Sequence, residues 1–279
     1  MKSIGMMMMQ MQKNKNIEMS RFANLSAFRG IFHFTTTRHG GASQGLYASM
    51  NPGLYTDDDP VSVRHNLALL SEAIGLPACN IIMPHQVHRD KILCVDRSFL
   101  MLKEREQIAA LDGVDALITD QLNVCVSVCT ADCVPILLYA PDRKVVAAIH
   151  AGWRGTVQHI VRKTLRYMFE AFSCDPGQML AGIGPSISQS AFEVGEEVVE
   201  AFEKAGMPLS QIMYRDKDTQ KAHVDLWEAN RLQLASEGLL AEHIEVAGIC
   251  TYSNSEDYFS ARRLGIKSGR ILSGIFIRE

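Results

Sequence analysis

No apolar run in this chain approaches the roughly 20 residues needed to cross a bilayer. No cluster of Lys or Arg forms a basic face, so neither a membrane nor a nucleic acid is the expected partner. The 7 cysteines are odd in number and lack the regular spacing of a disulfide framework, which points to reduced thiols and a cytoplasmic setting. Internal repeats and linkers are also missing, which leaves one large domain or two for 279 residues. Charge is modest, at 21% of residues and a net −3, while 47% of residues are hydrophobic. That balance fits a soluble globular protein with ample material for a core.

The N-terminal residues MKSIGMMMMQMQKNKNIEMS have a short apolar part that Gln interrupts, and they lack a small-residue cleavage site. They make a poor signal peptide. A methionine cluster can ligate soft copper, but the simpler expectation is a disordered or mis-assigned tail over residues 1–19, with a single domain over 20–279.

What is present is a dense succession of short apolar runs. Residues 31–37 (IFHFTTT) have strand composition and end at a Gly-containing turn that carries Arg38. Asn51 lies in a loop-like stretch before Pro52. Asp57, Asp58 and Asp59 precede Pro60, and Val63, Leu67, Leu70 and Ile74 follow at helical spacing, so a helix is expected over 60–74. Three acids can also suggest a metal loop; helix capping accounts for them. Strands are expected at 80–83, 91–95, 114–119, 179–183, 244–248 and 270–277. Residues 98–110 read as a helix-prone surface insertion. An apolar stripe of Val157, Ile160, Val161, Leu165, Met168, Phe169 and Phe172 predicts one helix over 156–172. Further helices are expected over 193–205 and 226–236. Strands and helices mix without strict βαβ alternation, which favours the α+β class.

The stretch 123–155, NVCVSVCTADCVPILLYAPDRKVVAAIHAGWRG, gathers the chemistry. Two apolar strands, 124–128 and 145–149, are expected on either side of a turn at 140–144. A Cys and a His fall near their ends, where polar side chains can open into a cleft. Cys133, His150 and, from an earlier segment, His88 make a plausible zinc set. One thiolate and two imidazoles leave a fourth position for water, as in catalytic sites, and zinc brings the pKa of such water to roughly 7. Each His taken singly also reads as a structural residue, and Cys133 as a buried core thiol.

The motifs TRHGG (37–41), QVH (86–88), TADC (130–133), HAGWRG (150–155), GIGPSI (182–187), FEVG (192–195), CTY (250–252) and FSARR (259–263) occur in this order. Together they resemble the YfiH family, also called the laccase-domain or polyphenol-oxidase family and, in bacteria, the peptidoglycan-editing factor. The resemblance covers residues 31–277. It implies a single four-layer α/β/β/α domain with mixed sheets. It also implies phosphorolysis of adenosine, inosine and S-methyl-5′-thioadenosine, deamination of adenosine, and copper-dependent oxidation of phenols. The family's metal triad falls on His88, Cys133 and His150, with zinc expected and copper possible. Expected partners are purine nucleosides and phosphate; no oligomeric state follows.

Within that reading Asp132 is the candidate proton shuttle for deamination, or a residue that orients a ligand. Arg38 is the candidate phosphate clamp, with Arg154 and Arg263 as rivals that read equally as ion-pair partners. Asn51 joins the substrate-binding candidates, and Tyr252 or Phe259 is the candidate stacking surface for a purine. His85, three residues before His88, is expected at the rim, and Cys129, four before Cys133, either lines the site or packs in the core. Arg89 stands where the family commonly has Gly, and the segment 98–110 looks longer than usual. Three other readings stay open: a hydrolase with Cys133 as nucleophile and His150 as its base; a copper oxidase, which would need a trinuclear centre although the chain has no His-x-His pair; and a role in editing cell-wall precursors.

Overall fold

The computed structural model describes residues 9–14 and 17–279. In chain order the strands are β1 (Gln10–Asn14), β2 (Ile17–Arg21), β3 (Ile31–Thr36), β4 (Ile81–Ile82), β5 (Ile92–Cys94), β6 (Ala116–Thr119), β7 (Cys125–Thr130) and β8 (Val134–Ala140). They continue with β9 (Val145–Ala151), β10 (Leu180–Ile183), β11 (Glu193–Val194), β12 (Met213–Arg215), β13 (Ala222–Val224), β14 (Ile244–Val246) and β15 (Ile271–Ile277). One six-stranded sheet runs β1-β2-β3-β15-β7-β4 and a second runs β14-β10-β8-β9-β6-β5. Both are mixed: β4 is parallel to β7, β5 to β6 and β10 to β14, against otherwise antiparallel neighbours. β11, β13 and β12 make a small third sheet.

Period-2 alternation builds the layers. Along β8, Leu137 and Tyr139 face the first sheet and join Val126 and Val128 of β7 and Ile275 and Ile277 of β15 in the inter-sheet core. Ile136, Leu138 and Ala140 point the other way, onto the helices Ile160–Phe172, Glu196–Lys204 and Leu226–Ser236. The outer face of the first sheet, with Phe34, Cys125, Leu272 and Phe276, packs against the helix Pro60–Ile74. Helix, sheet, sheet and helix thus stack as an α+β four-layer architecture. Each fully buried aliphatic side chain in these layers contributes about 1.5–3 kcal/mol, so the apolar layers hold the fold and leave strand ends free for polar work.

The helix Pro60–Ile74 forms as its sequence signals require. The Asp59 side chain accepts from the Val61 and Ser62 amides, and Gly75 closes the helix at φ 69°.

Five expectations are corrected. β1, β2 and the buried Ile17 and Met19 place residues 10–14 and 17–19 in the first sheet, so the expected boundary at residue 20 falls too late. The i, i+2 spacing of Ile17 and Met19 is a strand signal that the methionine-rich composition obscured. Met9 is buried between the sheets, whereas residues 1–8, where most of the methionine cluster falls, lie outside the described residues. The strand before the turn at 141–144 is β8 rather than the run 124–128, which belongs to β7 in the other sheet. The expected helix over 156–172 is broken: Trp153–Val157 ends, His159 takes φ 59°, and Ile160–Phe172 begins. Residues 98–110 are more than a surface insertion, because Phe99 and the adjoining Leu111 reach the inter-sheet core. The helix expected from residue 193 starts at Glu196, since Glu193 and Val194 pair with β13.

Candidate metal centre and cleft

The chain leaves the first sheet for the second at two places, and each crossing carries a candidate ligand. Between β4 and β5, residues 83–91 bring His88; between β7 and β8, residues 131–133 bring Cys133. His150 comes from the end of β9, opposite Pro135 of β8. One ligand atom from each of His88, Cys133 and His150 lies within 4.8 Å of the others. The two imidazoles meet edge to face, with centroids 4.8 Å apart.

The motif residues around the triad have physical reasons. Val134 pairs with Ala151, so the next step of the register sets Cys133 beside Gly152. A Cβ on Gly152 would stand 3.0 Å from Cys133 Sγ and 3.2 Å from His88 Cδ2. Only glycine leaves room for the triad to close there. Gln86 acts as a short strand surrogate: its side chain donates to the Cys129 carbonyl and accepts from the Cys129 amide, both at 2.8 Å. The loop that carries His88 is thereby pinned to β7.

Asp115, absent from the sequence-based candidates, organises the centre. It is fully buried. Its carboxylate accepts from the amides of Val87, His88 and Arg89, and it bonds His150 Nδ1 at 2.7 Å. His88 at φ 61° turns those three consecutive amides into a concave anion nest. Burial alone would raise the Asp115 carboxyl, but His150 and the loop amides hold it below its ordinary value. With Nδ1 bound to Asp115, His150 turns Nε2 toward Cys133, the carboxylate–histidine arrangement common behind metal ligands.

Burial would likewise raise the Cys133 thiol, but His150 and His88 outweigh it and bring it to about 6. Burial works against a charged His150, whereas Cys133 and Asp115 raise it to about 9. Both histidines thus favour the thiolate form of Cys133, the form in which cysteine binds metals. One thiolate and two oriented imidazoles, their ligand atoms all within 4.8 Å of one another, suit zinc. The same donor set also suits copper.

The triad opens into a cleft of about 800 Å³. Asp132, Arg154 and Cys129 line it. Asp132, at φ 86°, commits both carboxylate oxygens: one accepts from Thr251 Oγ1 and the other from the Arg262 amide, each at 2.7 Å. That tethers the CTY and FSARR segments to the Cys133 crossover. Burial pushes the Cys129 thiol up to about 12. His85 also lines the wall, half-exposed, with Nδ1 2.6 Å from Asp112 and its ring 4.5 Å from that of Tyr55.

Three candidate binding residues, Arg38, Asn51 and Arg263, and both candidate stacking rings, Tyr252 and Phe259, lie outside the cleft walls. Arg38 donates to the Ala48 and Ser255 carbonyls and stacks over Phe259, so its guanidinium clamps loops. Asn51 is fully buried and bonds Thr56, Asp58, Gly53 and Arg270. Arg263 donates to the Tyr252 carbonyl, and its guanidinium lies over the Tyr252 ring. Phe259 is fully buried. The aromatic rings that do line the cleft are Tyr47, Tyr55, Trp153 and Phe192. Their positions depend on loops folding back over strand ends, a feature without sequence periodicity.

Residues 32–278 match the family described as multi-copper polyphenol oxidoreductase laccase. The purine nucleoside phosphorylase of Bacteroides thetaiotaomicron is 46% identical over 265 residues, spanning 95% of this chain and 98% of that protein. Adenosine deaminase RL5, from an unknown prokaryotic organism, is 39% identical over 264 residues, spanning 93% and 99%. The crystal structure of YlmD from Geobacillus stearothermophilus matches with a TM-score of 0.88 at 33% identity, covering 98% of this chain and 99% of that one. A match along nearly the whole chain, on a shared fold, means that this protein belongs to the YfiH-type family of multi-copper polyphenol oxidoreductase laccases.

Proposed function

We propose that the protein is a zinc-dependent purine nucleoside enzyme that phosphorolyses adenosine, inosine and S-methyl-5′-thioadenosine and deaminates adenosine. The observation that carries this reading is the convergence of His88, Cys133 and His150 in a cleft of about 800 Å³, a volume suited to a small molecule. The names of the relatives, purine nucleoside phosphorylase and adenosine deaminase, supply the substrate class. When bound, the ion supplies Lewis acidity. The chain's own residues do the rest. Asp115 holds His150 and the His88 loop in place, Trp153 and Tyr55 offer aromatic surface to a base, and Asp132 positions the Cys133 crossover. Purine nucleosides and phosphate are the partners in this reading, the described residues act as one catalytic domain, and the seven free thiols favour a reducing cytoplasmic setting.

Incubating the purified protein with adenosine and phosphate, then separating adenine, inosine and ribose 1-phosphate, tests the activity. Adenine with ribose 1-phosphate supports phosphorolysis, and inosine supports deamination; neither product overturns the proposal. Metal content measured on protein purified without added metal tests the cofactor. Stoichiometric zinc that is lost in Cys133→Ser supports it. Metal-free protein with thiol-selective labelling at Cys133 favours the hydrolase reading, which the thiolate beside His150 also supports. Strong blue absorbance with oxygen-dependent turnover of phenols would favour copper, which the donor set also accommodates.

A further inference from the structure

The cleft carries charge opposite to that of the whole chain. The protein's net charge is −3, yet Arg154, Arg262, Lys267 and Arg270 line the walls against only Asp57 and Asp132. Lys267 pairs with Asp57 at 3.2 Å. Asp132 spends its oxygens on a hydroxyl and a backbone amide. Among the described residues none of the three guanidiniums is in an ion pair.

Arg270 is the most constrained of the three. It is half-buried. Its guanidinium donates to the Ser268, Gly269 and Ile266 carbonyls at 2.6, 3.0 and 3.0 Å, and its backbone amide donates to Asn51. Three of its five N–H donors are thereby satisfied, while Nε–H bonds no acceptor among the described residues. Carbonyl dipoles orient this cation without neutralising it, and a partly desolvated charge without a counter-ion is costly. Arg262 and Arg154 are held more loosely: one donates to the Glu193 carbonyl, and the other rests over the Trp153 ring. One fixed and two adjustable planar donors, none of them in an ion pair, match the charge of a phosphate dianion.

We infer that Arg270, assisted by Arg262 and Arg154, forms a phosphate-binding subsite of the cleft. This rests on the proposed function in one respect only, that the cleft is the reaction site. The dianion has two sources. It is free inorganic phosphate serving as co-substrate, or it is the 5′-phosphate of a nucleoside monophosphate.

The test titrates inorganic phosphate, with and without adenosine, and separately 5′-AMP, into the metal-loaded protein by calorimetry. The proteins compared are the wild type, Arg270→Gln, Arg270→Lys, Arg262→Gln and Arg154→Gln. Phosphate affinity is expected to fall about 10- to 100-fold in Arg270→Gln, the range for charge-assisted hydrogen bonds. Arg270→Lys, which keeps the charge, recovers part of that affinity, and Arg262→Gln and Arg154→Gln weaken it less. A merely structural Arg270 would lower thermal stability while leaving phosphate affinity and the KM for phosphate unchanged in every variant that folds. Tighter phosphate binding in the presence of adenosine assigns the subsite to free phosphate; tight 5′-AMP binding without that synergy assigns it to the nucleotide. A wild type that binds neither ligand, or arginine variants that bind both as the wild type does, overturns the inference. Phosphorolysis with an unchanged phosphate KM in the variants would overturn the subsite while leaving the proposed function intact. Phosphate binding without phosphorolysis would do the reverse.

Discussion

Asp115 sits behind two of the three candidate ligands and touches each differently. One oxygen serves both His150 Nδ1 and the His88 amide, and the other takes the Arg89 and Val87 amides. An Asn at this position turns one of those acceptors into a donor facing N–H groups. Asp115→Asn is expected to lower zinc affinity about 10- to 100-fold, the usual cost of losing an outer partner of a metal ligand. Competition with a chelating dye measures it, and unchanged affinity would remove Asp115 from that role. Gly152→Ala tests the close approach instead. Its new Cβ, 3.0 Å from Cys133 Sγ, must push the thiolate or the His88 ring aside. Metal content and activity are expected to fall by more than thermal stability does; equal losses would point to a general packing defect. Cys133, His88 and His150 were legible as candidates because the motifs TADC, QVH and HAGWRG carry them. Asp115 was not, because nothing in VDALIT distinguishes an acid that caps a loop from one exposed at a turn.

Elements matter here through what they anchor. The helix Pro60–Ile74 was read almost to the residue from its acids, Pro60 and apolar spacing, all of which are local signals. Its buried Asn66 carried no such signal. Asn66 accepts from the Ala42 amide and donates to Ser43 Oγ, the Ser49 carbonyl and the Asn51 carbonyl. It thus fixes the loop that leads into the cleft wall at residues 53–57. Asn66→Ala leaves buried polar groups unpaired and is expected to cost about 2–4 kcal/mol. Urea unfolding measures the loss, and a rise in nucleoside KM in the folded fraction reports the loosened wall. The break at 158–159 teaches the opposite lesson. A continuous apolar stripe predicts one helix, but Trp153–Val157 must start directly after the strand that delivers His150, and its axis is set by that strand. Tertiary constraint overrides periodicity at that point.

At the scale of the molecule, the N-terminal segment docks on the first sheet through His33. The Phe22 amide donates to His33 Nε2 at 2.9 Å. Burial first, and Arg21 second, hold the His33 pKa down to about 3, against about 6.5 in an unfolded chain. As pH falls from about 6.5 toward about 3, the unfolded state binds a proton that the folded state refuses, so stability declines across that window and levels off below it. The slope from this one group is about 1.4 kcal/mol per pH unit. His33→Gln keeps an acceptor for the Phe22 amide and removes the titration. Denaturant midpoints measured from pH 7 to 3 are expected to fall less steeply in that variant; parallel curves would assign the acid sensitivity to other groups.

The chain's own pattern determined the α+β class and most strands and helices, because alternation and capping are properties of neighbours in sequence, and it offered His88, Cys133 and His150 as candidate ligands. The motif order also identified the family. Tertiary structure decided which of two sheets each strand joins, and it brought His88 and Cys133 together by passing the chain twice between them. It turned Arg38 and Asn51 into loop anchors and placed Arg270 in the cleft. The physical reason is that a charged side chain's partner is set by which distant backbone segments come within about 3 Å of it, and packing of the apolar layers sets those distances.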